Sequence, residues 1–244
     1  MSDPQGLAFE RLAEDYERGR AGWPAAMLDG VDGDAALDLA AGTGKLTRLL
    51  VERFDTVVAV EPLAGMRTVL TRIAPEADVL PGTAERIPLD DASVDAVFVA
   101  EAFHWFDSAA AVREIARVLR RGGTPLVCFN HWLSGLRPPI GAEAEAVLEE
   151  RWSRLPTPGG TKVESGAWKD GFAGAPFTPL EERTFDHEWT ATREDVAAYY
   201  VSTSSMGALP DDEREELRGE LLDALDDVEY RLPLEARAFT AVRT

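Results

Sequence analysis

Short apolar segments alternate with longer amphipathic segments through the first half of the chain. The apolar segments are bounded by Gly, Pro or Asp, as is typical of buried strands. They are Ala36–Leu39, Thr56–Val60, Ala77–Leu80, Val94–Ala100 and Thr124–Phe129. Between them, apolar residues recur three or four positions apart, which predicts helices at Leu46–Phe54, Gly65–Ile73 and Ala109–Arg120. The last of these should end at Arg120-Arg121-Gly122-Gly123, with a glycine in the left-handed conformation. Strands that alternate with helices predict a doubly wound, Rossmann-like α/β fold with a mostly parallel sheet.

The pattern changes after the fifth predicted strand. Residues 133–178 are rich in proline and glycine, as in Arg137–Pro139 and Pro156–Gly160, and surround one predicted helix at Ala142–Arg154. We interpret this region as a cap or lid, in which substrate selectivity can vary without disturbing the sheet. The later elements that we predict are a strand near Leu180–Trp189, helices at Arg193–Ser204 and Asp211–Asp227, and a strand near Ala236–Val242. The sheet would then have seven strands.

One stretch carries most of the chemical information. Residues 37–47 read Leu-Asp-Leu-Ala-Ala-Gly-Thr-Gly-Lys-Leu-Thr, which predicts a strand, a glycine turn and the start of a helix, and the next strand is followed by Glu61. Glycines let backbone amides approach a ligand closely, and an acid at that place can accept hydrogen bonds from both hydroxyls of a ribose. Because the carboxyl ends of parallel strands meet at one edge, we expect one nucleoside-binding cleft there. Its expected segments are Ala41–Gly44, Glu61, Thr83–Glu85, Glu101–Trp105 and Asn130–Trp132.

The spacing of the glycines separates three cofactor classes. A dinucleotide fingerprint needs a third glycine where this chain has Thr47. A phosphate-binding P-loop needs a glycine at Leu39 and a hydroxyl at Leu46. Asp38 would repel phosphates but would attract an ammonium group. These residues favour S-adenosylmethionine, which carries an amino acid group and a ribose but no phosphate.

The chain resembles the class I methyltransferases that use S-adenosylmethionine, in particular the small-molecule branch called type 11. The family's first motif, Asp-x-Gly-x-Gly-x-Gly, is matched from Asp38 to Gly44, with Ala40 in place of the first glycine. Alanine adds only a methyl group, so we expect it to be tolerated. Gly82–Leu89 is similar to the third motif, and Glu101–Asp107 resembles the branch that includes trans-aconitate methyltransferases.

A further resemblance lies in the N-terminal region, where Tyr16, Arg20, Trp23 and Pro24 match an element of the same branch. There the arginine lies near the carboxylate of the cofactor. The resemblance implies a set of cofactor-binding residues, and besides Ala40 this chain departs from the family at two of them: Thr83 stands where many members have Asp, and Glu101 stands where Gln or Asn is frequent. The set comprises Tyr16, Arg20, Asp38, Ala40, Gly42, Thr43, Gly44, Glu61, Pro62, Met66, Thr83, Ala84, Glu85, Ala100, Glu101 and Phe103.

Candidate catalytic and substrate-binding residues follow the fourth and fifth strands or lie on a late helix. His104 and His131 are the candidate bases, since imidazole titrates in the useful range, although packing is an alternative for each. The expected substrate-binding residues are Trp105, Trp132, Tyr199 and Tyr200, and ordinary core packing is the alternative for them too. His187 is expected to be structural. Three histidines scattered singly predict no metal site.

Composition restricts the partners. The 44 acidic residues outnumber the 25 Lys and Arg and give a net charge of −19, which disfavours nucleic acid or an anionic membrane as a partner. The single Cys128 permits no internal disulfide, and neither a secretion signal nor an apolar run of roughly 20 residues is evident. We therefore expect a cytoplasmic protein, either a monomer or a homodimer.

The function predicted from these residues is methyl transfer from S-adenosylmethionine to a small-molecule acceptor, with oxygen as the expected acceptor atom. The expected plan is one domain, with an N-terminal helical segment (1–30), a cofactor-binding core (31–132), a cap (133–178) and a C-terminal part (179–244). An alternative of another class is a sensor or partner subunit that binds S-adenosylmethionine or S-adenosylhomocysteine without catalysis. A weaker alternative is a nicotinamide-dependent oxidoreductase, which Thr47 disfavours.

Overall fold

A seven-stranded sheet organises the computed structural model, which describes residues 12–133, 138–155 and 165–244. The strands are β1 Ala35–Leu39, β2 Thr56–Val60, β3 Asp78–Leu80, β4 Val94–Ala100, β5 Leu119–Trp132, β6 Glu181–Ala191 and β7 Tyr230–Thr240. Their order is β3-β2-β1-β4-β5-β7-β6, in which β1 to β5 pair in parallel and β7 pairs antiparallel with both β5 and β6. The predicted fold, doubly wound and mostly parallel, is confirmed.

Helices cover both faces of this sheet. They are α1 Ala13–Gly19, α2 Thr47–Leu50, α3 Ala64–Ile73, α4 Ser108–Val118, α5 Ala142–Arg154, α6 Arg193–Val201 and α7 Asp211–Ala224, with 3-10 turns at Ala25–Leu28, Phe103–Trp105, Ala167–Phe172 and Met206–Ala208. On one face, Ile115 of α4 and Trp168 of a 3-10 turn pack against Val97 and Val127. On the other face, Leu50 and Met27 pack against Phe98. Both faces of the sheet are therefore buried, as a parallel sheet requires.

Helix α4 begins where the sequence places it and ends earlier. The side chain of Asp107 accepts a hydrogen bond from the backbone N–H of Ala110, which caps the first turn. The helix ends at Val118 rather than Arg120, because the buried Leu119 is already extended and pairs with Val94 of β4. Gly122 does adopt a left-handed conformation, with φ +83°, but it lies within β5, where the register of pairing with β4 shifts, and not at the end of the helix.

The C-terminal boundaries also differ from those that the sequence predicts. Strand β7 begins at Tyr230 rather than near Ala236, because its antiparallel pairing with β6 continues over the whole length of that strand. Helix α6 ends at Val201 and α7 at Ala224, each earlier than predicted. The added length of β7 gives the sheet a long antiparallel pair of strands, β6 and β7, beside β5.

The region predicted as a cap divides between two places. Helix α5 coincides with the predicted helix and packs through Leu148 against α6 and α7, where its buried Arg151 forms ion pairs with Glu216 and Glu220. In contrast, Trp168 of the Ala167–Phe172 turn lies in the main core, so this part of the region is not a lid. Arg137 and Pro156–Gly160, also assigned to the cap, lie outside the described residues.

Candidate functional site

The glycine turn after β1 packs tightly against its neighbours. Gly42 and Gly44 have φ values of +59° and +93°, and a Cβ atom on Gly44 would lie 2.6 Å from Leu70 Cδ1. The carboxylate of Glu61 accepts one hydrogen bond of 2.9 Å from the N–H of Gly42 and another of 2.9 Å from the N–H of Leu63. Burial raises the pKa of Glu61, and these two hydrogen bonds oppose the shift. Glu61 thus connects the turn to the start of α3.

Asp38 of β1 is buried, and one of its two carboxylate oxygens accepts a hydrogen bond. Its Oδ2 accepts a 2.6 Å hydrogen bond from the hydroxyl of Thr47, while its Oδ1 has no hydrogen-bond partner among the described residues. Burial raises the pKa of Asp38 to about 7, and the Thr47 hydrogen bond opposes this. A buried acceptor with one open oxygen, next to a turn that a Cβ would fill, suits a ligand with an ammonium group.

Ala40 occupies a backbone conformation that favours glycine. Its φ is +58°, and Glu101, which follows β4 as Ala40 follows β1, has a φ of +55°. Ala40 is accommodated in the turn, but its cost is more than that of an added methyl group, because the left-handed conformation of an L-residue costs about 1–2 kcal/mol. Strained residues of this kind tend to cluster at functional sites.

Arg20 lies between two aromatic rings above the sheet edge. Its guanidinium carbon is 4.8 Å from the ring centroid of Tyr16 and 4.7 Å from that of Tyr199. Its Nη2 also donates a 3.1 Å hydrogen bond to the carbonyl of Ser202. Tyr16 in turn is next to the glycine turn, since its Cε1 would lie 3.8 Å from a Cβ on Gly42. Two rings and a carbonyl thus hold the guanidinium close to the turn.

A network around Glu17 fixes α1 over the glycine turn. The Glu17 carboxylate accepts a 2.6 Å hydrogen bond from the hydroxyl of Thr43 and pairs with Arg48 at 2.9 Å and Lys45 at 3.4 Å. Sequence reasoning missed Glu17, since the 26 residues that separate it from Thr43 leave no local motif.

Glu101 links the loop after β4 to β5. Its Oε1 accepts a 2.5 Å hydrogen bond from the N–H of Asn130. Burial raises the pKa of Glu101 to about 7, and this hydrogen bond and the charge of Arg20 oppose the rise. The side-chain oxygen of Asn130 lies 2.8 Å from Nε2 of His187. The carboxyl end of β4, the end of β5 and the middle of β6 are thereby connected.

Two predicted site residues are core residues instead. The side chain of Phe103, assigned to the cofactor, is fully buried against Phe106 and Trp168, with centroid distances of 5.2 and 5.4 Å. Tyr200, assigned to the substrate, is fully buried in the cluster around α6, and its hydroxyl donates to the carbonyl of Pro138. Neither side chain has accessible surface left for a ligand.

The remaining residues assigned to the cofactor lie along the same edge of the sheet. Met66 is buried against Ala13 of α1, Pro62 and Ala100 are partly buried, and Ala84 lies in the core. The carbonyl of Thr83 accepts from the N–H of Arg86, and Glu85 accepts a 3.1 Å hydrogen bond from the N–H of Asp107. That last bond joins the loop after β3 to the loop after β4.

The candidate histidines and tryptophans divide between two sides of β5. His131 lines a cavity of about 440 Å³ on the face that α4 covers. Trp132, the next residue, points to the opposite face, where its indole N–H donates a 3.0 Å hydrogen bond to the hydroxyl of Tyr199. The ring of His104 lies 4.9 Å from that of Trp105, which is 38% exposed, and 6.1 Å from that of Phe129. The similar His-Trp pairs therefore have different surroundings.

Among the described residues, no group of three His, Cys, Asp or Glu side chains is arranged to hold a metal ion. None of the helices in the described ranges is both long enough and apolar enough to span a bilayer.

Comparison with known proteins agrees with this geometry. The family described as "Methyltransferase domain" matches residues 37–127. An uncharacterized methyltransferase of Mycobacterium tuberculosis is 47% identical over 152 residues, which cover 59% of this chain and 63% of the relative, so the match spans less than two thirds of that protein. An uncharacterized methyltransferase of Schizosaccharomyces pombe is 31% identical over 225 residues, which cover 88% of this chain and 86% of the relative.

A solved structure shares the architecture over nearly its full length. The solved protein comes from Anaeromyxobacter dehalogenans and is provisionally described as a type II methyltransferase. It superposes on this chain with a TM-score of 0.61 at 25% identity. The superposition covers 92% of this chain and 97% of that one. The motif order, the strand order and these relatives agree, and the chain belongs to the class I S-adenosylmethionine-dependent methyltransferases.

Proposed function

We propose that this chain transfers the methyl group of S-adenosylmethionine to an oxygen atom, carboxylate or hydroxyl, of a small-molecule acceptor. The observation that carries the proposal is the meeting of the glycine turn, Glu61 and the Arg20 and Glu101 side chains at one edge of the sheet. This edge offers carboxylates and a cation for a nucleoside that carries both an ammonium and a carboxylate group. The narrower resemblance to trans-aconitate methyltransferases stays a prediction.

Each group has a role that follows from its position. Glu61, held by the backbone N–H groups of Gly42 and Leu63, keeps further lone pairs that can accept ribose hydroxyls. Arg20, fixed between two tyrosine rings, is placed to bind the carboxylate of the cofactor. Asp38 offers its open oxygen toward the ammonium group, directly or through water. The negative charge of Glu101 would favour a cationic donor nearby.

Catalysis in this arrangement depends on positioning. S-adenosylmethionine, when bound, supplies a methyl group to which a lone pair of the acceptor oxygen bonds, while the electron pair of the carbon–sulfur bond leaves with sulfur in S-adenosylhomocysteine. The chain holds the two reactants in line and excludes water, which replaces a costly encounter. Trp105 lies at the end of the 3-10 turn after β4 and can shape the space for the acceptor, whereas Trp132 lies on the opposite face of β5, where it binds Tyr199, one of the two rings that hold Arg20.

The need for a base depends on the acceptor. A carboxylate acceptor carries no proton, and then the histidines only position the substrate. A hydroxyl acceptor releases a proton, which His104 after β4 or His131 near the end of β5 is placed to accept. A pH profile of turnover therefore distinguishes the two acceptor classes.

The test begins with cofactor binding. Calorimetric titration with S-adenosylmethionine and S-adenosylhomocysteine should show saturable binding, and Glu61→Ala should weaken it by roughly tenfold or more, because hydrogen bonds to a charged group each contribute about 1.5–3 kcal/mol. Glu61→Gln keeps the shape of the side chain, and its affinity should lie between those of the parent and of Glu61→Ala. Glu76→Gln, at an exposed acid in the turn after α3, is the matched control and should bind as the parent does.

Turnover then separates enzyme from sensor. Mass spectrometry of reactions with matched carboxylic acids and phenols should detect a methylated product. Binding of both cofactor forms without any turnover would support a sensor or partner subunit instead. Absence of binding to either form, in protein that circular dichroism shows to be folded, would refute the proposal.

A further inference from the structure

The cavity beside His131 has the features of a small-molecule site. Its volume of about 440 Å³ lies within the range of ligand pockets. Phe129 and His131 contribute to it from β5, and both follow Cys128, which pairs with Ala100, the last residue of β4. The cavity therefore begins at the carboxyl edge of the sheet, where the cofactor groups lie.

Aromatic side chains form the floor of this cavity. The ring centroids of Phe129 and Trp168 are 5.4 Å apart, and those of Trp168 and Phe239 are 5.1 Å apart. Phe129 also lies 6.1 Å from the ring of His104, so a chain of rings connects the cavity to the loop after β4. These three side chains are only 1–6% exposed, so a flat or branched apolar group would contact the small part of each that faces the cavity.

Cations line the cavity although the protein carries a net charge of −19. Lys169 and Arg237 contribute side chains, and Glu182 is the one acid among the described lining residues. The Nζ of Lys169 lies 4.2 Å from the ring centroid of Phe239, and it forms no ion pair with any described carboxylate. Arg237 uses Nε to bind Glu235 at 2.6 Å, while its two Nη atoms donate to no described residue.

From these observations we infer that the cavity is the acceptor site and that the acceptor is an organic acid with an apolar body. Its carboxylate lies between Lys169 and Arg237, its body lies on the aromatic floor, and a second oxygen at the other end receives the methyl group. The inference rests on the proposed function and narrows it to acceptors with two oxygen-bearing groups, such as hydroxy acids. Arginine suits this role, because its remaining N–H groups can bind a carboxylate.

The test compares acids with their neutral amides in the presence of S-adenosylhomocysteine. The probes are para-hydroxybenzoate, hydroxyphenylpropionate and hydroxynaphthoate, each paired with its amide and titrated by calorimetry. At least one acid should bind about tenfold or more tightly than its amide, because a charge-assisted hydrogen bond is about twice as strong as a neutral one. Equal binding of every acid and its amide, or no saturable binding of any acid, would overturn the inference.

Variants locate the binding to this cavity. Lys169→Met and Arg237→Gln should each weaken the binding of the acid by about tenfold and leave the binding of the amide and of S-adenosylhomocysteine unchanged. Arg237→Lys keeps the charge and should retain more affinity than Arg237→Gln, which guards against a folding defect. Arg231→Gln is the matched control, since Arg231 is an exposed arginine on the same face of β7 but outside the cavity.

The outcomes separate this inference from the proposed function. If Arg237→Gln binds the acid as well as the parent does, the cavity is not the acceptor site, even where S-adenosylhomocysteine binds. If S-adenosylhomocysteine does not bind, the proposed function fails, and a preference for the acid that Lys169→Met abolishes would still establish a site for organic acids.

Discussion

Ala40 shows how one residue can keep a motif while working against its backbone. The family motif has glycine at this place, and the φ of +58° explains why: glycine adopts the left-handed region without cost. Alanine retains the turn because β1, the glycines that follow and Glu61 determine the path of the chain on both sides. The strained conformation lowers the free energy of unfolding.

Ala40→Gly should therefore stabilise the protein. Relief of the left-handed conformation gains about 1–2 kcal/mol, and the greater freedom of glycine in the unfolded chain removes about 0.4–1 kcal/mol of that. We expect a net gain of roughly 0.5–1 kcal/mol in the free energy of unfolding, measured by urea denaturation. Ala92→Gly is the matched control, since Ala92 has a φ of +50° in a turn before β4, away from the glycine turn. Loss of stability in both variants would contradict this account.

Asp38 should make stability depend on pH. Burial raises its pKa to about 7 from an ordinary value of 3.8, so the folded state holds a proton that the unfolded state releases in this range. The contribution of Asp38 to stability is then fully present below about pH 4 and is lost as the pH rises toward about 7, by up to roughly 4 kcal/mol, since a tenfold change in proton affinity corresponds to about 1.4 kcal/mol.

Asp38→Asn should flatten this dependence. Denaturation at a series of pH values between about 4 and 8 should show a smaller fall in the free energy of unfolding than the parent shows. Glu101 titrates in the same range in both proteins, so the difference between the curves reports Asp38 alone. Asp32→Asn, at an exposed acid, should retain the parent profile, and a parent profile for Asp38→Asn would show that Asp38 is ionised in the folded protein.

At the scale of elements, α1 connects the two halves of the site. Its Tyr16 and Glu17 contact the glycine turn, and its last residue, Gly19, lies against the backbone of α6. A Cβ on Gly19 would be 2.3 Å from the backbone nitrogen of Tyr199, so only glycine permits this approach. Arg20, the next residue, is placed by that contact.

Gly19→Ala should displace α1. Overpacking of a close contact typically costs about 1–3 kcal/mol, and here the neighbour is backbone, which cannot move aside easily. Hydrogen exchange of the α1 amides should become faster, and affinity for S-adenosylhomocysteine should fall, because Tyr16 and Arg20 move with the helix. Gly22→Ala is the control, since among the described residues nothing but the chain neighbours lies within 4 Å of a Cβ at that position. Unchanged exchange in Gly19→Ala would show that α1 does not depend on this contact.

At the scale of the whole molecule, charge is the dominant property. The net charge of −19 opposes compaction through self-repulsion, which salt screens. The ion pairs of α1 and α5, such as Arg72 with Glu14 and Arg151 with Glu220, act in the opposite direction. Surface pairs are worth little each, so repulsion should dominate.

Added salt should therefore stabilise the protein. The melting temperature should rise between about 0.01 M and 0.1 M sodium chloride, over which the Debye length falls from about 30 Å to about 10 Å. Urea denaturation at both concentrations checks the result at one temperature. A lower melting temperature in salt would mean that the ion pairs outweigh the repulsion. The same charge leads us to propose that neither nucleic acid nor an anionic membrane is a partner.

Local patterns in the sequence were sufficient for the order of the elements. Strands β1, β2 and β4 and the helix α5 lie where their apolar runs predict, because each buries a pattern that is local in the chain. The glycine turn and Glu61 can also be predicted from the sequence. The residues of the turn are contiguous, and Glu61 directly follows the next strand. The early end of α4 and the early start of β7 cannot be predicted in this way, because strand pairing with distant residues decides both.

The side-chain roles show the same division. Sequence alone determined the fold, the cofactor family and the residues that follow each strand, because helix and strand periodicity and turn chemistry act over short distances. Tertiary structure alone decided that Phe103 and Tyr200 are core, that Ala40 is strained, and that Glu17 holds the glycine turn. It also brought Lys169, Arg237 and three aromatic rings to one cavity. Burial and contact between residues far apart in the chain are properties of packing, and no local pattern encodes them.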